Sequence, residues 1–121
     1  MYDIKALYEA ENVQDAIRLL TEHPQAQIIA GGSDVLVQIR EGKRAGVELV
    51  SIYGLDELRG VSLEEDETLR IGSLTSFSHI TKNELIQKYI SVLGEAVDMV
   101  GGPQIRNIGT IGGNTLSLIH I

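Results

Sequence analysis

The chain has 121 residues, room for one domain-sized core and not two. Apolar residues make up 43 % and charged residues 22 %, ordinary globular usage that excludes a disordered tail or a coiled coil. Its 17 acidic and 10 basic side chains leave a net charge of −7, which argues against nucleic-acid binding but not against a nucleotide cofactor held by backbone amides.

At the amino terminus, Met1-Tyr2-Asp3-Ile4-Lys5 shows no secretory pattern. No apolar run approaches the ~18 residues of a membrane span, so a cytoplasmic location is expected. Asn12 is placed to cap a helix, with Asp15 three residues on and Val13, Ala16, Ile17 and Leu20 at helical spacing. Glu22-His23-Pro24 ends it. Gln27-Ile28-Ile29-Ala30 reads as a short strand stopped by Gly31-Gly32. Ser33-Asp34 opens a second helix, with Val35, Leu36 and Ile39 on one face and Gly42 just past its end. Residues 47–52 read as another buried strand, and this strand–helix–strand order favours parallel pairing. Residues 60–63 and 68–72, joined by the acidic turn 64–67, read as a hairpin. A helix is expected from Ser76. A longer one should cover 84–100, broken near Ser91, with Leu93, Ala96, Val97 and Val100 facing inward until Gly101-Gly102-Pro103 ends it.

Two glycine-rich loops carry the chemistry. Ala30-Gly31-Gly32-Ser33-Asp34 lies between a strand and a helix, where unpaired N–H groups suit an anion. Glycine lets backbone approach a phosphate without an intervening Cβ, and Ser33 adds a hydroxyl that can bind the phosphate or cap the helix. A plain strand-to-helix turn is the competing reading. The second loop, Gly109-Thr110-Ile111-Gly112-Gly113-Asn114, follows Pro103-Gln104-Ile105-Arg106-Asn107 and again combines glycines with a hydroxyl and an amide. Taken alone it reads as a turn at a strand end. Neither loop is a Walker sequence or a spaced Gly-x-Gly-x-x-Gly. Two amide-rich loops together suit a long, doubly charged group such as a pyrophosphate. Arg106 could face a phosphate or tie down its own loop through carbonyl oxygens.

Other chemistry is sparse. With no cysteine the chain offers no thiolate metal site, iron–sulfur cluster or cysteine nucleophile. His23, His79 and His120 follow no metal-ligand spacing, and nothing marks a nucleophile elbow. No catalytic residue and no metal ligand is assigned.

The two loops, in this order, together with Ile108, Leu58-Arg59-Gly60 and Ile71-Gly72-Ser73, resemble the FAD-binding subunits of molybdenum hydroxylases, a family that includes bacterial xanthine dehydrogenase and carbon monoxide dehydrogenase. The resemblance is collinear over residues 1–115. It implies an α+β fold, the N-terminal part of a vanillyl-alcohol-oxidase-type (PCMH-type) FAD-binding domain: a small α/β subdomain over 1–54, then an incomplete α+β subdomain over 55–115. It implies FAD held by Gln27, Ile28, Ile29, Ala30, Gly31, Gly32, Ser33 and Asp34, and by Gly109, Thr110, Ile111, Gly112, Gly113 and Asn114, and it sets Ile71 beside the flavin. Its function would be oxidoreductase electron relay. Electrons from a molybdenum cofactor and 2Fe-2S clusters on partner subunits would pass through FAD to NAD or another acceptor. The absence of cysteine agrees with that division of labour.

Residues 116–121, Leu-Ser-Leu-Ile-His-Ile, depart from the family. They read as a non-native tail, because a transposase end sequence used in sequencing libraries encodes them in one frame. On that reading the chain is a truncated piece that holds FAD weakly or not at all. The rival function is a non-catalytic subunit-docking module whose glycine loops are only turns, and bound flavin discriminates the two.

Overall fold

The computed structural model describes residues 4–32, 35–42 and 46–119. The chain divides into two compact units, Met1–Leu55 and Asp56–Ile121.

The first unit is built on a parallel sheet of β1 (Ile4–Glu9), β2 (Gln27–Ile29) and β3 (Val47–Ser51), with strand order β1-β3-β2. The central strand pairs Leu7 with Leu49 on one side and Ile28 with Val50 on the other. Leu49 and Val50 point to opposite faces, and both are buried, so the middle of the sheet is covered on both sides. The connections are α1 (Val13–Glu22) and α2 (Val35–Arg40), and α1 packs on β3. The sequence pattern finds β2, β3 and both helices but not β1, whose short mixed run Ile-Lys-Ala-Leu-Tyr-Glu buries no residue and takes its partner 43 positions away (Ile4 to Val47). Gly42 follows α2 at φ +83°, the left-handed end that glycine favours.

Asn12 caps α1 as expected. Its side-chain oxygen accepts from the Asp15 N–H at 2.7 Å, and the Asp15 carboxylate accepts in turn from the Glu11 N–H at 2.9 Å. That backbone bond, then the Arg18 guanidinium at 2.6 Å, holds the Asp15 pKa below the ordinary carboxylate value. The buried face differs by one position from the pattern: Ala16 and Leu19 are buried while Ile17 is exposed. Replacing Asn12 with alanine should cost about 1 kcal/mol of stability, read from urea unfolding followed by far-UV circular dichroism.

The second unit opens with a 3-10 turn at Asp56–Leu58 and the hairpin β4 (Val61–Leu63) and β5 (Leu69–Ile71), antiparallel with Ser62 opposite Arg70. Then come α3 (Phe77–Lys82), α4 (Glu84–Tyr89), α5 (Ser91–Asp98), α6 (Pro103–Ile108) and α7 (Ile111–Ile119). Phe77, Ile80, Ile86 and Val97 form the core cluster, with Val61, Leu69, Ile71, Leu93, Val100 and Ile111 against it. Asn83 ends α3 and caps α4, accepting from the Leu85 and Ile86 N–H groups at 2.9 and 3.3 Å. The expected long helix is two, parted at Ile90, and Ala96 faces solvent while Gly94 is buried beside Val97.

Two further elements depart from the sequence pattern. The helix expected to run to Gly101-Gly102-Pro103 already stops at Asp98, and Pro103 starts another, because proline at the first helical position gives up only an N–H that has no helical partner. The glycine-rich 111–114 stretch is helical despite poor propensity, because Thr110 caps it.

Candidate cofactor-binding segments

In the first unit, Gln27, Ile28 and Ile29 are committed to the sheet, and the Ile52 N–H donates to the Ile29 carbonyl at 3.0 Å. The chain leaves the ladder at Ala30. Gly32 stands at φ +80°, a conformation that L side chains rarely adopt, and its carbonyl accepts from the Leu36 N–H at 3.0 Å to start α2. The N–H groups of Ala30, Gly31 and Gly32 make no hydrogen bond to any other described residue. A Cβ built on Gly32 would meet Leu36 Cδ1 at 3.0 Å and Ile29 Cδ1 at 3.3 Å. Ser33 and Asp34 lie outside the described residues.

The second segment belongs to the other unit and is built differently. The Gly109 carbonyl accepts from the Phe77 N–H at 3.1 Å, Thr110 forms an isolated antiparallel bridge with Ser76, and the Ile111 N–H donates to the Thr75 carbonyl at 3.1 Å. The Gly112 N–H donates to the Ser73 carbonyl at 2.9 Å, Gly113 N–H to Thr110 Oγ1 at 3.1 Å, and Asn114 N–H to the Thr110 carbonyl at 3.1 Å. This segment is therefore the cap and first turn of α7, where its sequence alone reads as a strand-end turn. The amides of Gly112 and Gly113 are engaged within the unit. The Thr110 N–H is without a partner among the described residues.

Gly112 has a structural reason of its own. A Cβ there would come within 2.7 Å of the Ser73 carbonyl oxygen and 2.8 Å of Ser73 Cβ, so only glycine lets α7 approach this backbone. The Ser73 and Thr75 carbonyls and the Thr75 hydroxyl escape sequence reasoning, since nothing local marks residues that work through partners far along the chain.

Arg106 ties down its own loop. Its Nη1 donates to the Gly101 carbonyl at 2.8 Å and the Val100 carbonyl at 3.3 Å, and Nε lies 3.9 Å from the Asp98 carboxylate. Ile71, half-buried, packs against the core cluster. His23 stacks on Tyr8 with ring centroids 4.3 Å apart, and His120 lies outside the described residues. Among the described residues no group of three or more His, Asp or Glu could hold a metal ion, and no helix is long and apolar enough to cross a membrane.

The family model described as "FAD binding domain in molybdopterin dehydrogenase" matches residues 2–121. The xanthine dehydrogenase FAD-binding subunit of Escherichia coli O157:H7 is 42 % identical over 114 residues, covering 94 % of this chain and 39 % of that protein. The nicotinate dehydrogenase FAD-subunit of Eubacterium barkeri is 35 % identical over 109 residues, covering 88 % of this chain and 36 % of its own length. Among solved structures, a carbon monoxide dehydrogenase from Hydrogenophaga pseudoflava matches with a TM-score of 0.89 and 29 % identity, covering 95 % of this chain and 40 % of that one. The chain thus spans about two-fifths of the length of the relatives it matches. The α+β fold and the collinear motifs have the same source: this chain belongs to the family of FAD-binding domains of molybdopterin dehydrogenases.

Proposed function

We propose that this chain is the N-terminal part of the FAD-binding subunit of a cytoplasmic molybdenum hydroxylase, similar to xanthine dehydrogenase. The observation that carries the reading is the Ala30-Gly31-Gly32 turn: three adjacent N–H groups without a partner among the described residues, in a chain of this family. N–H donors left at a strand end are what an FAD pyrophosphate requires, and the left-handed Gly32 sets the direction of the backbone there. The residues present therefore fit the cofactor at this segment.

On this reading residues 27–34 and 109–114 are the two FAD-binding segments, with unequal shares. The first donates its backbone amides. The second offers the Thr110 N–H and a glycine surface, while Gly112 and Gly113 hold the turn in shape. The chemistry that FAD supplies when bound is two-electron transfer, from iron–sulfur clusters on a partner subunit to NAD or another acceptor. The chain's own part is to bind and orient. Substrate oxidation belongs to a molybdenum-cofactor subunit.

The test is the visible absorption spectrum of the complete subunit, purified from its source locus with its neighbouring subunits. Flavin bands with FAD released on denaturation are expected. A colourless complex would overturn the reading and leave the glycine segments as structural turns.

A further inference from the structure

We propose that Thr75 is a positioning residue for the second FAD-binding segment: its buried hydroxyl anchors the ribbon on which residues 109–112 are hung. The inference rests on the FAD reading above for its ligand and on the geometry of one unit for its structural half.

Thr75 is 1 % exposed, and its hydroxyl is fully used. Oγ1 accepts from the Gly60 N–H at 3.0 Å and donates to the Gly60 carbonyl at 3.2 Å, a two-way clamp on a residue 15 positions earlier. The same ribbon is bound to that backbone twice more, by the Gly72 N–H to the Gly60 carbonyl and the Leu74 N–H to the Leu58 carbonyl, both at 2.9 Å. Its other edge carries the second segment through Ser73, Thr75 and Phe77, which receive or donate the bonds to Gly112, Ile111 and Gly109. Thr75 is the residue in this ribbon that bonds both ways: its side chain grips Gly60 and its carbonyl grips Ile111. Its position therefore sets where the Ile111 N–H lies, and with it the adjacent Thr110 N–H.

The hydroxyl is needed because Gly60 presents both a donor and an acceptor, at φ +112°. Valine keeps the shape of threonine but leaves the part-buried Gly60 N–H without this partner, and a donor that loses its partner away from bulk water costs free energy. Serine keeps both bonds.

The experiment compares Thr75→Val and Thr75→Ser in the complete subunit by two readouts. Hydrogen exchange of the FAD-free subunit reports on peptides covering residues 109–114, and the second readout is the FAD dissociation constant. Thr75→Val should speed exchange in those peptides at least tenfold, leave peptides of β1 and β3 unchanged, and weaken FAD binding at least tenfold. Thr75→Ser should hold both within about threefold of wild type. Exchange at 109–114 unchanged in Thr75→Val would overturn the anchoring. Faster exchange with FAD affinity unchanged would overturn the role toward the cofactor. A wild-type subunit that binds no FAD would defeat the FAD reading instead, with the anchoring still judged by exchange.

Discussion

Replacing Gly72 with alanine should destabilise the unit Asp56–Ile121 by about 3 kcal/mol or more, the upper range for forcing atoms into a filled site. The new Cβ would overlap the Leu58 carbonyl oxygen and lie 2.6 Å from the Leu58 carbonyl carbon. Both obstructing atoms are backbone, so no side-chain rotation relieves the clash. Relief requires the 58–60 and 72–75 strands of chain to part, and three sets of bonds hold them together: Gly72 to Gly60, Leu74 to Leu58, and the Thr75 clamp. Gly102 is the internal control, because a Cβ there meets nothing within 4 Å. Gly102→Ala, which only exchanges the N-cap of α6, should cost about 1 kcal/mol or less. Urea unfolding of the two variants by circular dichroism is the measurement, and equal midpoints would show that the close approach at Gly72 does not exist. Because the ribbon also carries the second glycine segment, Gly72→Ala should weaken flavin retention without touching any residue assigned to the cofactor.

What the sequence reveals here depends on how far the deciding interaction reaches. The Asn12 cap, the strand at Gln27–Ile29 and the acidic hairpin turn are settled within a few residues, and each is legible as a pattern. The break at Ile90 falls one residue from its expected place, since the preceding Asn83 cap and the run of helix formers are local too. Strand β1 is not legible, because its place depends on β3, more than forty residues later. The second glycine segment shows the same limit at the site. Its composition says turn, but Thr110 and the carbonyls of Ser73 and Thr75 make it a helix start and engage the amides of Ile111, Gly112, Gly113 and Asn114. Family motifs propose such a segment for the site while leaving open which of its atoms would bind and which hold the backbone. Gly112 illustrates the difference: a glycine in a cofactor motif whose demonstrable need for hydrogen in place of a side chain comes from Ser73.

Gly32→Val in the complete subunit should abolish flavin retention, and the geometry says by which route. From sequence alone the reason would be a branched Cβ standing in the path of a phosphate. In the structure a Cβ on Gly32 points instead at Leu36 Cδ1 and Ile29 Cδ1, within its own unit and at the flexible ends of two side chains. The larger obstacle is the backbone, since φ +80° is strongly unfavourable for a β-branched residue. Valine would drive residue 32 out of the left-handed region, re-aim the N–H groups of Gly31 and Gly32, and disturb the Gly32 carbonyl that starts α2. The two routes separate with Gly32→Asn, because asparagine carries a Cβ yet tolerates the left-handed conformation far better than valine. Backbone control predicts loss of FAD binding of at least a hundredfold in Gly32→Val and about tenfold or less in Gly32→Asn, measured by FAD titration of the deflavinated subunit. Equal, severe loss in both variants would restore the steric explanation. Undiminished flavin in Gly32→Val would remove this turn from the cofactor site altogether.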